Sequence, residues 1–166
     1  EKIFIVMFKK FLILFLTLFT FTFPLYSAGT SDGSSKINHF KKASSLIKQA
    51  KKYEKKGKIK KAEKKFKKAL EYLIITNKKN PNQPDTLNYL GFASRKIGKY
   101  KEAEKYYLAG LKIKPNHNGI NEYLGELYIS TNRIEKAKER LKVLENCNCE
   151  EFEELKNSIN KGSSKY

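Results

Sequence analysis

Two cysteines one residue apart, Cys147-Asn148-Cys149, and two histidines, His39 and His117, are the side chains here best suited to chemistry. A thiol pair can close a disulfide, exchange with other disulfides or hold a soft metal. A bond within Cys-x-Cys closes a tight ring, which is expected to be easier to reduce than an ordinary structural disulfide. Three readings stay open for the pair: a local staple, intermolecular or unpaired thiols, and redox or metal chemistry. Zinc wants two further ligands, and neither histidine is near Cys147 in the sequence. No metal site and no cofactor is therefore expected. The stretch ASRKIGKY (93–100) lacks the leading glycine and the closing Ser/Thr of a phosphate loop. The like-charged pairs Glu122/Glu126 and Glu135/Glu139 fall at i,i+4, as on a solvated helix surface. No carboxylate pair is set among apolar neighbours that would shift its pKa. No catalytic residue is singled out, and the chain is not expected to be an enzyme.

The charge is lopsided. Of 35 basic residues only Arg95, Arg133 and Arg140 are arginine, and the net charge is +18. Nucleic-acid readers lean on arginine for bidentate contacts, so no nucleic-acid partner is expected. A surplus written almost wholly in lysine, beside much Ile, Asn and Phe, is also what A+T-rich codons produce. From Lys41 to Lys68 there are fourteen lysines against Glu54 and Glu63, whereas Glu145, Glu150, Glu151, Glu153 and Glu154 crowd the other end. Two solvated helix faces would account for this. So would a dipolar molecule that steers an acidic partner or associates end to end.

At the N-terminus, Lys9 and Lys10 precede an apolar or threonine run of thirteen residues, Phe11 to Phe23, and then Pro24, Ser27, Ala28 and Gly29. That is the plan of a secretory signal, shorter than the roughly 20 residues a spanning helix needs. We expect a signal over 1–28, with Met7 as a candidate start, and a flexible lead-in over 29–37. Export, most simply to a periplasm, follows. The alternative is an inner-membrane anchor through an uncleaved signal, and membrane contact is expected through that segment alone. In an exported chain oxidised cysteines are the default.

From residue 38 the apolar and small residues recur at helical spacing: Phe40, Ala43, Ile47, Ala50 and Tyr53, then Ile59, Ala62, Phe66, Ala69 and Leu73. The figure returns as Leu87 and Leu90, then Tyr100, Ala103, Tyr107 and Leu111. It returns again as Leu124 and Tyr128, then Ile134, Ala137 and Leu141. Gly57, Gly98 and Asn132 split the halves, each able to take the left-handed backbone that turns a helix hairpin. Leu90 to Leu124 and Ala103 to Ala137 are shifts of 34 residues. Recurrence at a fixed period predicts an all-α fold, an α-solenoid. Ala62 lies 41 residues before Ala103, so seven extra residues must enlarge either the second helix or the loop near 75–85.

Leu90-Gly91, Tyr100, Ala103, Tyr107, Leu111 and Pro115 resemble the tetratricopeptide repeat, whose period is 34 residues. The resemblance implies three helix hairpins, at about 43–76, 84–117 and 118–149, within a domain over 38–162, and a capping helix at about 150–161. The segment LENCNCEEFEELKNSI resembles the C-terminal cap of certain exported bacterial members, in which a cysteine pair, usually spaced more widely, precedes Glu-Glu-aromatic. Cys147 and Cys149 are thus a candidate disulfide, and the wider spacing in those members means that their disulfide geometry does not carry over. In this family the first helices line a concave groove for a peptide or helix. Carried over by position, the groove would present Ile47, Lys51 and Glu54, then Asn88, Phe92 and Arg95, then Glu122, Glu126 and Ile129. Phe92 would be an exposed anchor there or, equally, a contact with the neighbouring repeat. Some members clamp a terminal carboxylate, but Ile47, Tyr89, Gly119 and Tyr123 occupy clamp positions, so that activity is not implied. The expected function is a non-catalytic interaction scaffold in a bacterial cell envelope, holding a protein or peptide segment. The alternative is a basic envelope protein that binds anionic polymer or lipid headgroups through Lys41–Lys68.

Overall fold

The computed structural model describes residues 38–163, all within the unit Lys36–Tyr166. The signal expected over 1–28 and the lead-in over 29–37 lie outside the described residues. Those described form seven α-helices and no strands: α1 (His39–Lys55), α2 (Ile59–Lys79), α3 (Pro84–Lys96), α4 (Tyr100–Ile113), α5 (Asn118–Ser130), α6 (Ile134–Leu144) and α7 (Glu150–Lys161).

The hairpin turns share one construction. Gly57, Gly98 and Asn132 have φ of 67°, 79° and 60°. After each, a backbone N–H returns to the carbonyl five residues back: Lys58 to Tyr53 (2.9 Å), Lys99 to Ser94 (2.9 Å) and Arg133 to Tyr128 (2.7 Å). The left-handed residue itself donates three residues back, to Glu54, Arg95 and Ile129. This double bond pattern satisfies carbonyls that a helix end would leave orphaned. It reverses the chain within three residues, so α1/α2, α3/α4 and α5/α6 pack as antiparallel pairs.

Within each pair the second helix offers a fully enclosed alanine: Ala62, Ala103 and Ala137 are no more than 1% exposed. The first helices of the later pairs carry glycine. A Cβ on Gly91 would strike the Tyr107 ring, and one on Gly125 would meet Leu155 at 2.6 Å. Gly91 is thus filled from its own pair, whereas Gly125 is filled from α7. Residue 141, the counterpart of Tyr107, is a leucine that leaves room for α7 to dock on α5 and α6. Between pairs, Phe66 of α2 meets Phe92 of α3 edge-on at 5.8 Å. Glu104 of α4 takes two hydrogen bonds from Arg133 at 2.8 and 2.9 Å.

The seven extra residues of the first repeat lengthen a helix. α2 runs 21 residues against 14 for α4. Pro84 at the first position of α3 and Pro115 beyond α4 punctuate the later connections.

Candidate functional site

Helices α1, α3, α5 and α7 frame an open cleft of about 1,010 Å³. Ser44, Ile47, Lys48, Lys51, Lys52, Glu54 and Lys55 line it from α1, Tyr89 and Lys96 from α3, Tyr123 from α5, and Glu150 and Glu154 from α7. The lining positions of α1 repeat every three or four residues because one helical face looks into the cleft. From Ser44 to Lys55 that wall is about 16 Å long at 1.5 Å per residue. It would match about five residues of extended chain or eleven of helix. Lys48, Lys52 and Lys55 are exposed on this side, and Glu150 on the other. The two walls therefore carry opposite sign.

The interior of the cleft is organised around Lys51. Its ammonium donates to the Tyr123 hydroxyl at 3.3 Å and lies 4.6 Å from the centre of the Phe92 ring. Lys96 pairs with Glu54, a contact between α3 and α1 with both side chains largely shielded. Tyr89 is half-buried and meets Phe40 edge-on at 5.5 Å. Its aromatic body is supported, and the ring still lines the open volume.

Six of the nine groove residues expected from the sequence sit elsewhere. Ile47, Lys51 and Glu54 line the cleft. Asn88, Phe92, Arg95, Glu122, Glu126 and Ile129 are all at most 9% exposed. Phe92 is no surface anchor: it is fully enclosed, between Phe66 and, at 4.8 Å, Tyr123. Of its two sequence readings, the contact with neighbouring repeats is the one realised. Glu122 and Glu126 are not a solvated pair. Glu126 is fully buried and accepts a hydrogen bond from Ser158 of α7 at 2.5 Å. Arg95 lies beside the enclosed Tyr107. Burial pushes the Tyr107 hydroxyl far above the usual phenol range, Arg95 opposes that, and Glu122 and Glu126 add to it. The inner side of the second and third repeats is thus a packed polar layer. The physical reason is contact with the neighbouring repeats, which enclose Phe92 between Phe66 and Tyr123, together with α7 covering α5 through Leu155 over Gly125 and Ser158 on Glu126.

The histidines are placed by structure. The ring Nδ1 of His117 accepts from the Ile120 backbone N–H at 3.3 Å and caps α5. Its Nε2 lies 3.0 Å from Asp85 of α3. The Nδ1 acceptor role leaves the neutral ring's proton on Nε2, where it donates to Asp85. Next to it, fully buried Asn121 donates to the carbonyls of Pro115 and His117 at 2.9 and 3.1 Å. His39 stacks near Tyr72 at 5.7 Å. Cys147 and Cys149 are disulfide-bonded with Cα atoms 5.2 Å apart, and Cys149 is the N-cap of α7. No cluster of three potential metal ligands exists among the described residues.

Ser44, Lys48, Lys52, Lys55, Lys96, Glu150 and Glu154 were not anticipated as lining residues, whereas Tyr89 and Tyr123 stand at clamp positions of the groove in the sequence reading. The α1 lysines share the face of Ile47 and Lys51, with Lys48 and Lys52 one residue after each and Lys55 four after Lys51, a signal present in the sequence. Glu150 and Glu154 were hidden because only the docking of α7 brings them near α1.

Stacked helix hairpins closed by a capping helix define an α-solenoid of repeats. Residues 84–117 match the family model of the tetratricopeptide repeat, and the chain carries the fold of that family. A tetratricopeptide repeat protein from Parabacteroides merdae is similar, with TM-score 0.51 and 16% identity over 74% of this chain and 60% of that one. The chain thus spans about 60% of the length of that relative. The first TPR of Spaghetti (RPAP3), solved with an HSP90 peptide, aligns with TM-score 0.46 and 22% identity over 74% and 91% of the two chains. The type III secretion translocator chaperone SycD of Yersinia enterocolitica aligns with TM-score 0.47 and 18% identity over 74% and 89%. No curated protein matches the chain.

Proposed function

We propose that this protein is a non-catalytic interaction scaffold that holds a short segment of a partner protein in the cleft between α1, α3, α5 and α7, and that it works in a bacterial cell envelope. The observation that carries the reading is the cleft itself. It has a supported aromatic, Tyr89, and an apolar floor residue, Ile47, between walls of opposite charge. A half-buried aromatic beside an apolar side chain gives an anchor, while flanking charges orient the segment and exclude wrong partners. The α1 wall, with Lys48, Lys52 and Lys55 exposed, favours acidic side chains on the segment. The envelope setting rests on the signal-like N-terminal sequence. The disulfide acts in this reading as a staple between the last repeat and the cap. The family resemblance supports a protein or peptide partner, since tetratricopeptide arrays are built to present such surfaces.

The test is photo-crosslinking in cells from a benzophenone amino acid placed at Tyr89 or Lys52, with Lys105 on the outer side of α4 as comparison. The expected result is one partner joined at Tyr89 and Lys52 and not at Lys105, with the adducts mapping to one short acidic segment. Adducts only at Lys105, or adducts at all three spread over unrelated proteins, would remove the cleft as the working surface.

A further inference from the structure

The side of α2 turned away from α1 carries a pattern that the cleft does not use. Four residues, Ala62, Phe66, Ala69 and Leu73, form its buried face. On the opposite face Lys60, Lys64, Lys67 and Lys68 are exposed together with Glu71, and Lys67 pairs with Glu63 at 2.6 Å. Large aliphatic side chains also stand in water along α2: Ile74 is 50% and Ile75 38% exposed, one turn beyond Glu71 and flanking that face, and Ile59, 60% exposed, lies at the helix start. Lys78 and Lys79 follow them, also exposed. The two isoleucines near the C-terminal end lie in the stretch by which α2 outgrows α4. They are thus part of the added length that distinguishes this repeat from its neighbours.

Lysines alone would suit any polyanion. Isoleucines set in a lysine field suit something with a charged surface and an apolar layer just beneath. A helix with cations at the level of lipid headgroups and aliphatic side chains below it lies in the plane of a bilayer. Lysine stems aid the arrangement, because they bury their methylenes and lift the ammonium to the headgroups. No helix among the described residues is long and apolar enough to cross a membrane, so the contact would be peripheral.

We propose that the outer face of α2 is a docking surface for an anionic lipid bilayer, with the lysines on the headgroups and Ile74 and Ile75 in the upper acyl region. This narrows to the outer face of α2, and to a bilayer entered by isoleucines, the headgroup contact that the sequence reading offered as its alternative for Lys41–Lys68. The contact is separate from the cleft, which lies on the other side of the hairpin and remains open to a partner. Each lysine near an anionic surface multiplies partitioning by roughly fivefold, and the attraction weakens as salt shortens the Debye length.

The chain contains no tryptophan, so an introduced one reports from its own position wherever else the chain touches lipid. The experiment uses the full chain carrying Ile75→Trp, with Ile74→Trp as a second reporter. Leu108→Trp serves as the control, at a position 43% exposed on α4. Each is mixed with phosphatidylcholine vesicles or with mixed phosphatidylcholine–phosphatidylglycerol vesicles, and helicity is checked by circular dichroism. On the anionic vesicles alone, emission from position 75 or 74 should move to shorter wavelength and be quenched by brominated acyl chains, while position 108 stays unchanged. Adding Lys64→Glu and Lys68→Glu should lower this partitioning at least about 25-fold, from roughly fivefold for each lysine lost. Unshifted emission from both reporters on vesicles that sediment the chain would overturn the proposal, as would an equal shift on neutral vesicles. Saturable binding of polyphosphate with no shift on anionic vesicles would also overturn it, and would assign the lysines to a soluble polymer.

Discussion

Phe92 shows how a residue's position along a helix can mislead about its surroundings. Its spacing puts it on the inner side of the array, and there it is enclosed by Phe66, Tyr123 and the Lys51 ammonium. Phe92→Ala is consequently a core deletion. It should lower unfolding free energy by about 3–5 kcal/mol in urea denaturation, and so cannot serve as a binding probe; a loss below about 1 kcal/mol would mean the ring is not packed as described. Gly91→Ala tests the opposite error of adding volume. The new methyl group meets the Tyr107 ring, and forcing that ring aside should cost about 1–3 kcal/mol by the same measurement. His117→Ala should cost about 1 kcal/mol through loss of the α5 cap, with most of it restored by His117→Asn. Glu104 supplies the pH-dependent element. Hydrogen bonds from Arg133, helped by its charge and opposed by burial, hold its carboxyl below the ordinary value of 4.5. A folded-state pKa below the unfolded one means that the stabilisation is present above 4.5 and lost as pH falls through the folded value. The stability difference between the chain and Glu104→Gln should therefore be constant at neutral pH and shrink in acid. A difference that grows on acidification would contradict the pairing.

At the scale of elements, the sequence was most readable where one residue type answers to one backbone requirement. Gly57, Gly98 and Asn132 mark three hairpin turns because few residues accept positive φ. Ala62, Ala103 and Ala137 mark the close contacts within pairs. The seven extra residues could not be assigned to helix or loop from spacing alone, since spacing reports length and not conformation. α2 takes them up as helix. The cap was legible from the apolar positions Phe152, Leu155 and Ile159. Its consequences were not, because they depend on tertiary docking: Leu155 fills the space over Gly125, and Ser158 donates to Glu126. These contacts turn expected groove residues into interior ones. Leu155→Ala should cost about 2–5 kcal/mol by cavity formation and raise hydrogen exchange in α5 and α6 along with α7. The disulfide closes only a short loop, so Cys147→Ser with Cys149→Ser should cost no more than about 2 kcal/mol, seen as a modest shift in the same unfolding curve.

Across the described residues, charge is distributed by element: lysine on α1 and α2, glutamate on α7. The sequence showed that asymmetry in full, but not that the two ends of the array share a cleft, since only the curvature of the solenoid brings α7 opposite α1. The consequence is a cleft with a basic wall and an acidic edge on the inner side, and a basic, isoleucine-studded helix on the outer side. The first is proposed to hold a protein segment and the second to meet a lipid surface, so substitutions on either should leave the other intact. The most direct measurement is calorimetric titration of the crosslinked acidic segment, as a synthetic peptide, into three chains. These are the original, a cleft variant with Tyr89→Ser and Lys52→Glu, and an outer-face variant with Lys64→Glu and Lys68→Glu. The account predicts that the cleft variant weakens binding by more than about tenfold, a loss above about 1.4 kcal/mol, while the outer-face variant binds as the original does. Unchanged affinity in the cleft variant, or equal losses in both variants, would contradict it.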